Sequence, residues 1–272
     1  MRLFTAAGSA FGIIEPLCTR VRGVGETIQS VERAAAILRL LASGPRQLGV
    51  AELAKALGLP KGTLHGILRT LVRVGFVEQD PATGKYRLGA TLLHLGSSYL
   101  DVNELRTRSI NWADALAGRS RESAWIGTLH EGHVLVIHHV FRPDDSMQTL
   151  QVGTYLPTHA SALGKVLLAH DPYGEAPAAP LRAYTKATLT DPKGLETELD
   201  QVRTRGWAAE REELTEGEVA IAAPIKDPRG IVVGAIGIRG AVERLAPDGA
   251  LHMEYVSYVR DAARAITRAL AR

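Results

Sequence analysis

Between Ile28 and Ser43 apolar residues recur three and four apart, at Val31, Ala34, Ile37, Leu38 and Leu41, with Glu32, Arg33 and Arg39 elsewhere on the wheel. That period predicts an amphipathic helix, which Gly44-Pro45 ends. A shorter helix is expected from Ala51 to Leu57, burying Leu53, Ala54 and Leu57, with Gly58 as the left-handed residue that closes it. Pro60 suits the first turn of a third helix, whose buried stripe is Leu64, Ile67, Leu68 and Leu71. So few residues separate the second and third helices that the pair reads as a helix-turn-helix, with Lys61, Gly62, His65, Gly66 and Arg69 facing outward. Phe76 to Gln79 and Lys85 to Leu88 flank a turn at Asp80-Pro81-Ala82-Thr83-Gly84, which predicts a hairpin with a basic edge at Lys85 and Arg87. Residues 27–89 are therefore expected to form a winged helix-turn-helix.

Ala90 to Val102 continues as a helix carrying Leu92, Leu95 and Tyr99, and residues 90–103 are expected to join two domains. Past Glu104 the pattern changes. A helix is expected over Glu104 to Gly118, and strands over Ser123 to Leu129 and Val134 to Val140, around the turn His130-Glu131-Gly132-His133. A further strand is expected over Gln148 to Val152, then a helix over Ala160 to Ala169 and another opened by Asp191-Pro192 with Leu195, Leu199 and Val202 inward. Strands over Trp207 to Glu210, Val219 to Ile225 and Ile231 to Arg239 precede a last helix from Leu251, burying Val256, Val259, Ala263, Ile266 and Leu270. Elements in this order argue for an α+β domain over 104–272. Residues 1–26 show no sustained period and are expected to be a flexible extension, with Val21 or Val24 as an alternative start.

Composition narrows the class. At 46% hydrophobic and 22% charged over 272 residues, the chain is not disordered. It has no apolar run near the roughly 18 to 20 residues of a membrane helix, and its first twenty residues lack a signal-peptide core, so a cytoplasmic location is expected. The single Cys18 has no partner for a disulfide or a thiolate metal site. Residues 1–103 carry 12 Lys and Arg against 7 Asp and Glu, whereas the remainder carries 20 against 22. A basic first third on a slightly acidic remainder fits a nucleic-acid-binding head joined to a different second domain.

Catalytic and metal patterns fail in detail. Gly164-Lys165 lacks the earlier glycine and the following hydroxyl of a phosphate loop, since His159 and Val166 hold those places. Gly234, Gly237 and Gly240 recur every three residues and do not form a dinucleotide fingerprint; they read as a strand needing close packing. His130, His133, His138 and His139 form one histidine cluster, with Glu131 nearby, but adjacent strand residues face opposite ways, so His138 and His139 cannot share an ion. Ser161 beside His159 lacks the elbow of a serine nucleophile. No cofactor, metal or catalytic residue is expected.

Ser30-Val31-Glu32-Arg33-Ala34, Ala51-Glu52-Leu53-Ala54, Leu59-Pro60-Lys61-Gly62-Thr63-Leu64-His65 and Gly75-Phe76-Val77-Glu78-Gln79-Asp80 resemble the IclR family of bacterial transcriptional regulators. The second domain agrees through His159-Ala160-Ser161-Ala162-Leu163-Gly164-Lys165, Arg205-Gly206-Trp207, Ala222-Ala223-Pro224-Ile225 and Gly240-Ala241 with Arg244-Leu245. Lys61-Gly62-Thr63, His65 to Leu71 and His138 to Asp145 are most similar to its glycerol operon regulators. The resemblance implies a winged helix-turn-helix, a dimerising linker helix and a GAF/PAS-like domain that binds a small metabolite. Dimers or tetramers on palindromic duplex operators follow, with repression as the expected sign.

Lys61, Thr63 and His65 stand at the entry of the recognition helix, where donors meet phosphates and base edges, while Arg69 and Arg87 are expected on the backbone. Gln29 and Lys85 complete the expected DNA-contacting set. Many relatives have serine and arginine where this chain has Gly62 and Gly66, and two helical glycines cost about 1 kcal/mol each. Either the helix backbone approaches the groove floor there, or the glycines are tolerated on the surface.

By the same resemblance the effector pocket is lined by Leu156, Ala162, Leu163, Glu210, Ala220, Gly237 and Arg239. Relatives that bind small keto acids place cysteine at 220 and serines at 237 and 239. The exchange of hydroxyls and a thiol for a guanidinium favours a phosphate or carboxylate, with glycerol 3-phosphate as the candidate. The alternative is that Arg239 lies at a strand end paired with Glu210 or Glu243. A DNA-binding oligomer without any effector, and an enzyme, remain the competing functions.

Overall fold

In a computed structural model of the chain, residues 28–43, 45, 47–101, 103–171 and 180–272 are described, and the expected extension over 1–26 lies outside them. The chain divides into two units between Tyr99 and Leu100. The first holds α1 (Gln29–Ser43), α2 (Val50–Leu57) and α3 (Lys61–Arg73), then a hairpin of β1 (Val77–Gln79) and β2 (Tyr86–Leu88); α4 (Thr91–Asp101) leads out of it. Its core is Ile37, Leu41, Leu53, Leu64, Leu68 and Leu71, closed by Val77 and Tyr86. Gly58 ends α2 at φ 64° and its amide bonds back to Ala54. Leu48 exchanges two backbone hydrogen bonds with Tyr86, of 3.0 and 2.8 Å, so the hairpin is stitched to the segment before α2. Val31, expected in the buried stripe, is 62% exposed, because packing on α1 begins a turn later at Ala34.

The second unit is built on α5 (Glu104–Ser120), β3 (Ser123–His130), β4 (His133–Val140), β5 (Tyr155–Pro157), α6 (Ala162–Ala169), α7 (Pro192–Arg205), β6 (Ala208–Arg211), β7 (Glu218–Lys226), β8 (Val232–Ala241), α8 (Val242–Leu245) and α9 (Met253–Leu270). Six antiparallel strands run in the order β5-β4-β3-β8-β7-β6. Helices α5 and α9 cover one face, packing Leu116, Ala117, Val259 and Ile266 with Ile126, Ile221, Ile236 and Ile238. Helix α6 lies on the other face, with α7 packed against it. Where β3 and β4 pair, Ile126 lies opposite His138 but Gly127 lies opposite Val136, so β4 carries a bulge at Ile137. Among the described residues no helix is long and apolar enough to cross a membrane.

The strand expected over Gln148 to Val152 is absent. The Gln148 side chain donates to the Arg142 carbonyl at 2.8 Å and accepts from the Arg142 amide at 2.7 Å, folding that segment on itself. Gly153, at φ 86°, then turns the chain into β5, which takes the edge of the sheet instead. Helix α6 begins at Ala162 rather than Ala160, since Ser161 caps it by accepting from the Gly164 amide.

The spaced glycines of β8 have packing reasons. A Cβ at Gly234 would meet Leu105 Cδ2 at 2.5 Å, one at Gly237 the Ile221 carbonyl oxygen at 2.5 Å, and one at Gly240 the Glu122 carboxylate at 2.3 Å. Glu122 is buried there and accepts two hydrogen bonds from Arg244. Gly164 is tighter still, since a Cβ would lie 2.3 Å from the Thr158 carbonyl oxygen and 2.4 Å from its Cα. Gly164→Ala should therefore push α6 off the sheet and destabilise the second unit by about 2 kcal/mol. Urea unfolding followed by tryptophan fluorescence checks this, because Trp112, Trp125 and Trp207 all lie in that unit.

Candidate functional site

Helix α3 turns Leu64, Leu68 and Leu71 inward and leaves Lys61, Gly62, His65, Gly66 and Arg69 exposed, with Thr63 half-buried at their edge. None of its thirteen residues is acidic, and its first turn adds the positive end of the helix dipole. Lys61 and Arg69 form no ion pair among the described residues. A Cβ at Gly62 or Gly66 would meet nothing within 4 Å, so no internal packing calls for glycine at either place. Gln29 is exposed at the start of α1.

The hairpin is less basic than its sequence implied. Arg87 Nη2 lies 3.0 Å from Glu78 Oε2 across the strands, which halves the expected charge on that edge. Both groups are well exposed, and such a pair is worth at most about 1 kcal/mol, so a phosphate can compete for Arg87. Asp80 fixes the turn by accepting from the Ala82 amide and the Thr83 hydroxyl, each at 2.9 Å.

In the second unit all seven residues expected around the effector line one cleft, between the start of α6 and the sheet. Leu156 comes from β5, Ala162 and Leu163 from α6, Glu210 from β6, Ala220 from β7, and Gly237 and Arg239 from β8. Trp125, Ser161 and Leu214 also line it and were missed from sequence. Trp125 was legible in principle, since strand alternation puts it on the same face as Gly127 and its partner Gly237. The cleft is tight, with a cavity volume of about 20 Å³. That is room for roughly one water. Gly237 is more than a lost hydroxyl, since the Ile221 carbonyl leaves no space for any Cβ there.

Two ionisable groups enter this apolar space. Glu210 is 1% exposed, and its Oε1 accepts from the Glu213 amide at 2.8 Å and the Leu214 amide at 3.1 Å. Burial pushes its carboxyl up to about 7, against the opposing pull of the Arg239 charge and the Leu214 amide. Arg239 pairs with neither Glu210 nor Glu243. Its Nε donates to Glu218 Oε2 at 2.7 Å, and Nη2 donates to the same oxygen and to Thr215 Oγ1 at 2.7 Å. Beneath the cleft Lys165 is buried in an ion pair of 2.5 Å with Glu213, and donates also to the Ala209 carbonyl.

The other candidates separate. Ser161 donates to the Pro157 carbonyl at 2.6 Å, and His159 Nε2 meets the Arg182 carbonyl at 2.9 Å, so they do not pair. His139 packs at a tilt against Trp125 with centroids 4.8 Å apart, and its burial, with the neighbouring His138, lowers its pKa to about 4. His138 faces the opposite side, toward Arg106 and Asp114 of α5. Among the described residues no three histidines, cysteines or carboxylates converge as metal ligands.

Comparisons with known proteins agree on both halves. Residues 30–81 match the IclR helix-turn-helix domain, and residues 97–268 match the family described as bacterial transcriptional regulator IclR C-terminal. The chain is 56% identical over 249 residues to a glycerol operon regulatory protein of Streptomyces coelicolor, covering 91% of this chain and 98% of that protein. An IclR-type regulator from Alicyclobacillus acidocaldarius superposes with a TM-score of 0.77 at 27% identity, covering 90% of this chain and all of that one. An IclR homologue from Microbacterium hydrocarbonoxydans, solved with 4-hydroxybenzoate, superposes with a TM-score of 0.74 at 25% identity, covering 89% and 98%.

The raised Glu210 carboxyl makes a stability prediction. A group held neutral by burial stabilises fully below its unfolded pKa, near 4.5, and loses that contribution as pH rises through its folded value of about 7. Wild type should therefore lose roughly 3 kcal/mol relative to Glu210→Gln between those limits. Urea titrations of both proteins across that range, read by tryptophan fluorescence, check it.

Proposed function

The chain belongs to the IclR family of bacterial transcriptional regulators, and on that premise we propose that it is a dimeric repressor of glycerol catabolic genes, gripping a palindromic duplex and released or tightened by a small anionic metabolite. On the DNA side the carrying observation is the outer face of α3. It presents Lys61, His65 and Arg69 without an acidic residue, and it is bare at Gly62 and Gly66. Alanine would fit at both glycines and favour the helix by about 1 kcal/mol each. A cost with no internal return supports close approach of the helix backbone to the groove, with Lys61, Thr63 and His65 on base edges. Gln29, Arg69, Lys85 and Arg87 then hold phosphates.

On the effector side the carrying observation is Arg239 in a mostly apolar cleft that the first amides of α6 also line, amides that a helix leaves unpaired. Leu156, Ala162, Leu163, Glu210, Ala220 and Gly237 supply the rest of the wall. Because the Streptomyces relative is named a glycerol operon regulator, glycerol 3-phosphate is the candidate. A second reading, a DNA-binding oligomer without an effector, is favoured by the closure of the cleft to about 20 Å³.

The test is fluorescence anisotropy on duplex from the chain's own upstream region. Log affinity should fall with log salt by about 0.9 per phosphate contacted, and glycerol 3-phosphate should shift the binding curve. An operator affinity that no metabolite moves would favour the second reading. Gly66→Ala should separate folding from function, raising the melting temperature of the first unit while weakening operator binding about tenfold. Unchanged affinity in that variant would make the glycines mere surface residues.

A further inference from the structure

Among the described residues Arg239 is the only cation lining the cleft, and its side chain is 17% exposed, yet it is already in use. Glu218 accepts from both its Nε and its Nη2, and Thr215 accepts a third hydrogen bond. An anion entering the cleft must therefore compete with a carboxylate of the protein itself.

Glu218 is built to give way. Its side chain is 39% exposed, so water can take up its charge when it leaves. Its backbone stays where it is, because the Glu218 carbonyl accepts from the Glu212 amide at 2.7 Å and β7 begins at this residue. The loop before it is fixed too, with Thr185 and Thr188 each donating to its carbonyls at 2.6 Å. Glu210, the other carboxylate of the cleft, is fully buried and bonded to two amides, and cannot make the same move. A fixed backbone with one partly exposed carboxylate is the geometry of an exchange.

We propose that Glu218 acts as a resident competitor for the effector, holding Arg239 until an anionic ligand replaces it, and so makes the cleft selective for anions over neutral polyols. The selection follows from charge balance, since a guanidinium in an apolar cleft needs a counter-charge at every stage. An anion supplies one as Glu218 departs; a neutral ligand does not, and must leave the pair closed. The proposal rests on the effector reading given above, and it deepens it by naming the residue that sets the ligand class.

Calorimetry on the full chain tests it, with glycerol 3-phosphate, inorganic phosphate and glycerol as probes. Glu218→Gln removes the competing charge and should tighten both anions about three- to tenfold while leaving glycerol unchanged. Thr215→Val, which removes one hydrogen bond from the same guanidinium, should show a smaller gain in the same direction and serves if the first variant is less stable. In Glu218→Gln/Arg239→Ala the gain should vanish. Equal affinity of wild type and Glu218→Gln for glycerol 3-phosphate would overturn the competitor role and leave the effector reading standing. Failure of every variant to bind either anion would overturn both.

Discussion

A charge taken out of water must be met by another, and the second unit is organised around that requirement. Lys165 of α6 has Glu213, Glu122 beneath β8 has Arg244, and Arg239 in the cleft has Glu218. Glu210 is the remainder, and its burial is met by a carboxyl pKa raised to about 7 and by two backbone amides. Three of these four sites converge where β6 turns into β7, so the segment around 210–218 both closes the cleft and balances the charges beneath it. The tight seating of α6 on Thr158, which Gly164 permits, keeps that closure in place.

Much of this architecture was legible in the residues themselves. The three-helix head followed from apolar spacing and from Gly58 and Pro60, because local period and backbone preference agree there. The same rules missed Val31, since a stripe says which face is apolar and not where its packing partner begins. Gln148 to Val152 read as a strand because Leu150 and Val152 alternate with polar residues. What decides that segment is the Gln148 side chain turning back on Arg142, which periodicity does not register.

The cleft shows the same division. Its seven expected residues came from a family likeness, and they do meet in one place, because strand register carries over between relatives. The partner of Arg239 did not carry over. Glu210 and Glu243 are nearer to an obvious pairing on paper, whereas Glu218 reaches Arg239 only because β7 and β8 run antiparallel with Ala220 opposite Arg239. Likewise Gly237 looked like a missing serine, and the structure gives it a steric cause of its own.

The bulge at Ile137 has a further consequence for how this strand tolerates change. It shifts the side-chain parity of everything after it, so His139 joins Val134 and Val136 on the side of Trp125 while His138 turns to α5. Drawn into an unbulged ladder from Val136 onward, the same residues would put His138 beside the tryptophan and His139 under the helix. Deleting the codon for Ile137 would instead straighten the ladder and leave both histidines on the sides they hold now. An alignment that runs without a gap through this strand against a relative lacking the bulge would compare opposite faces of the sheet.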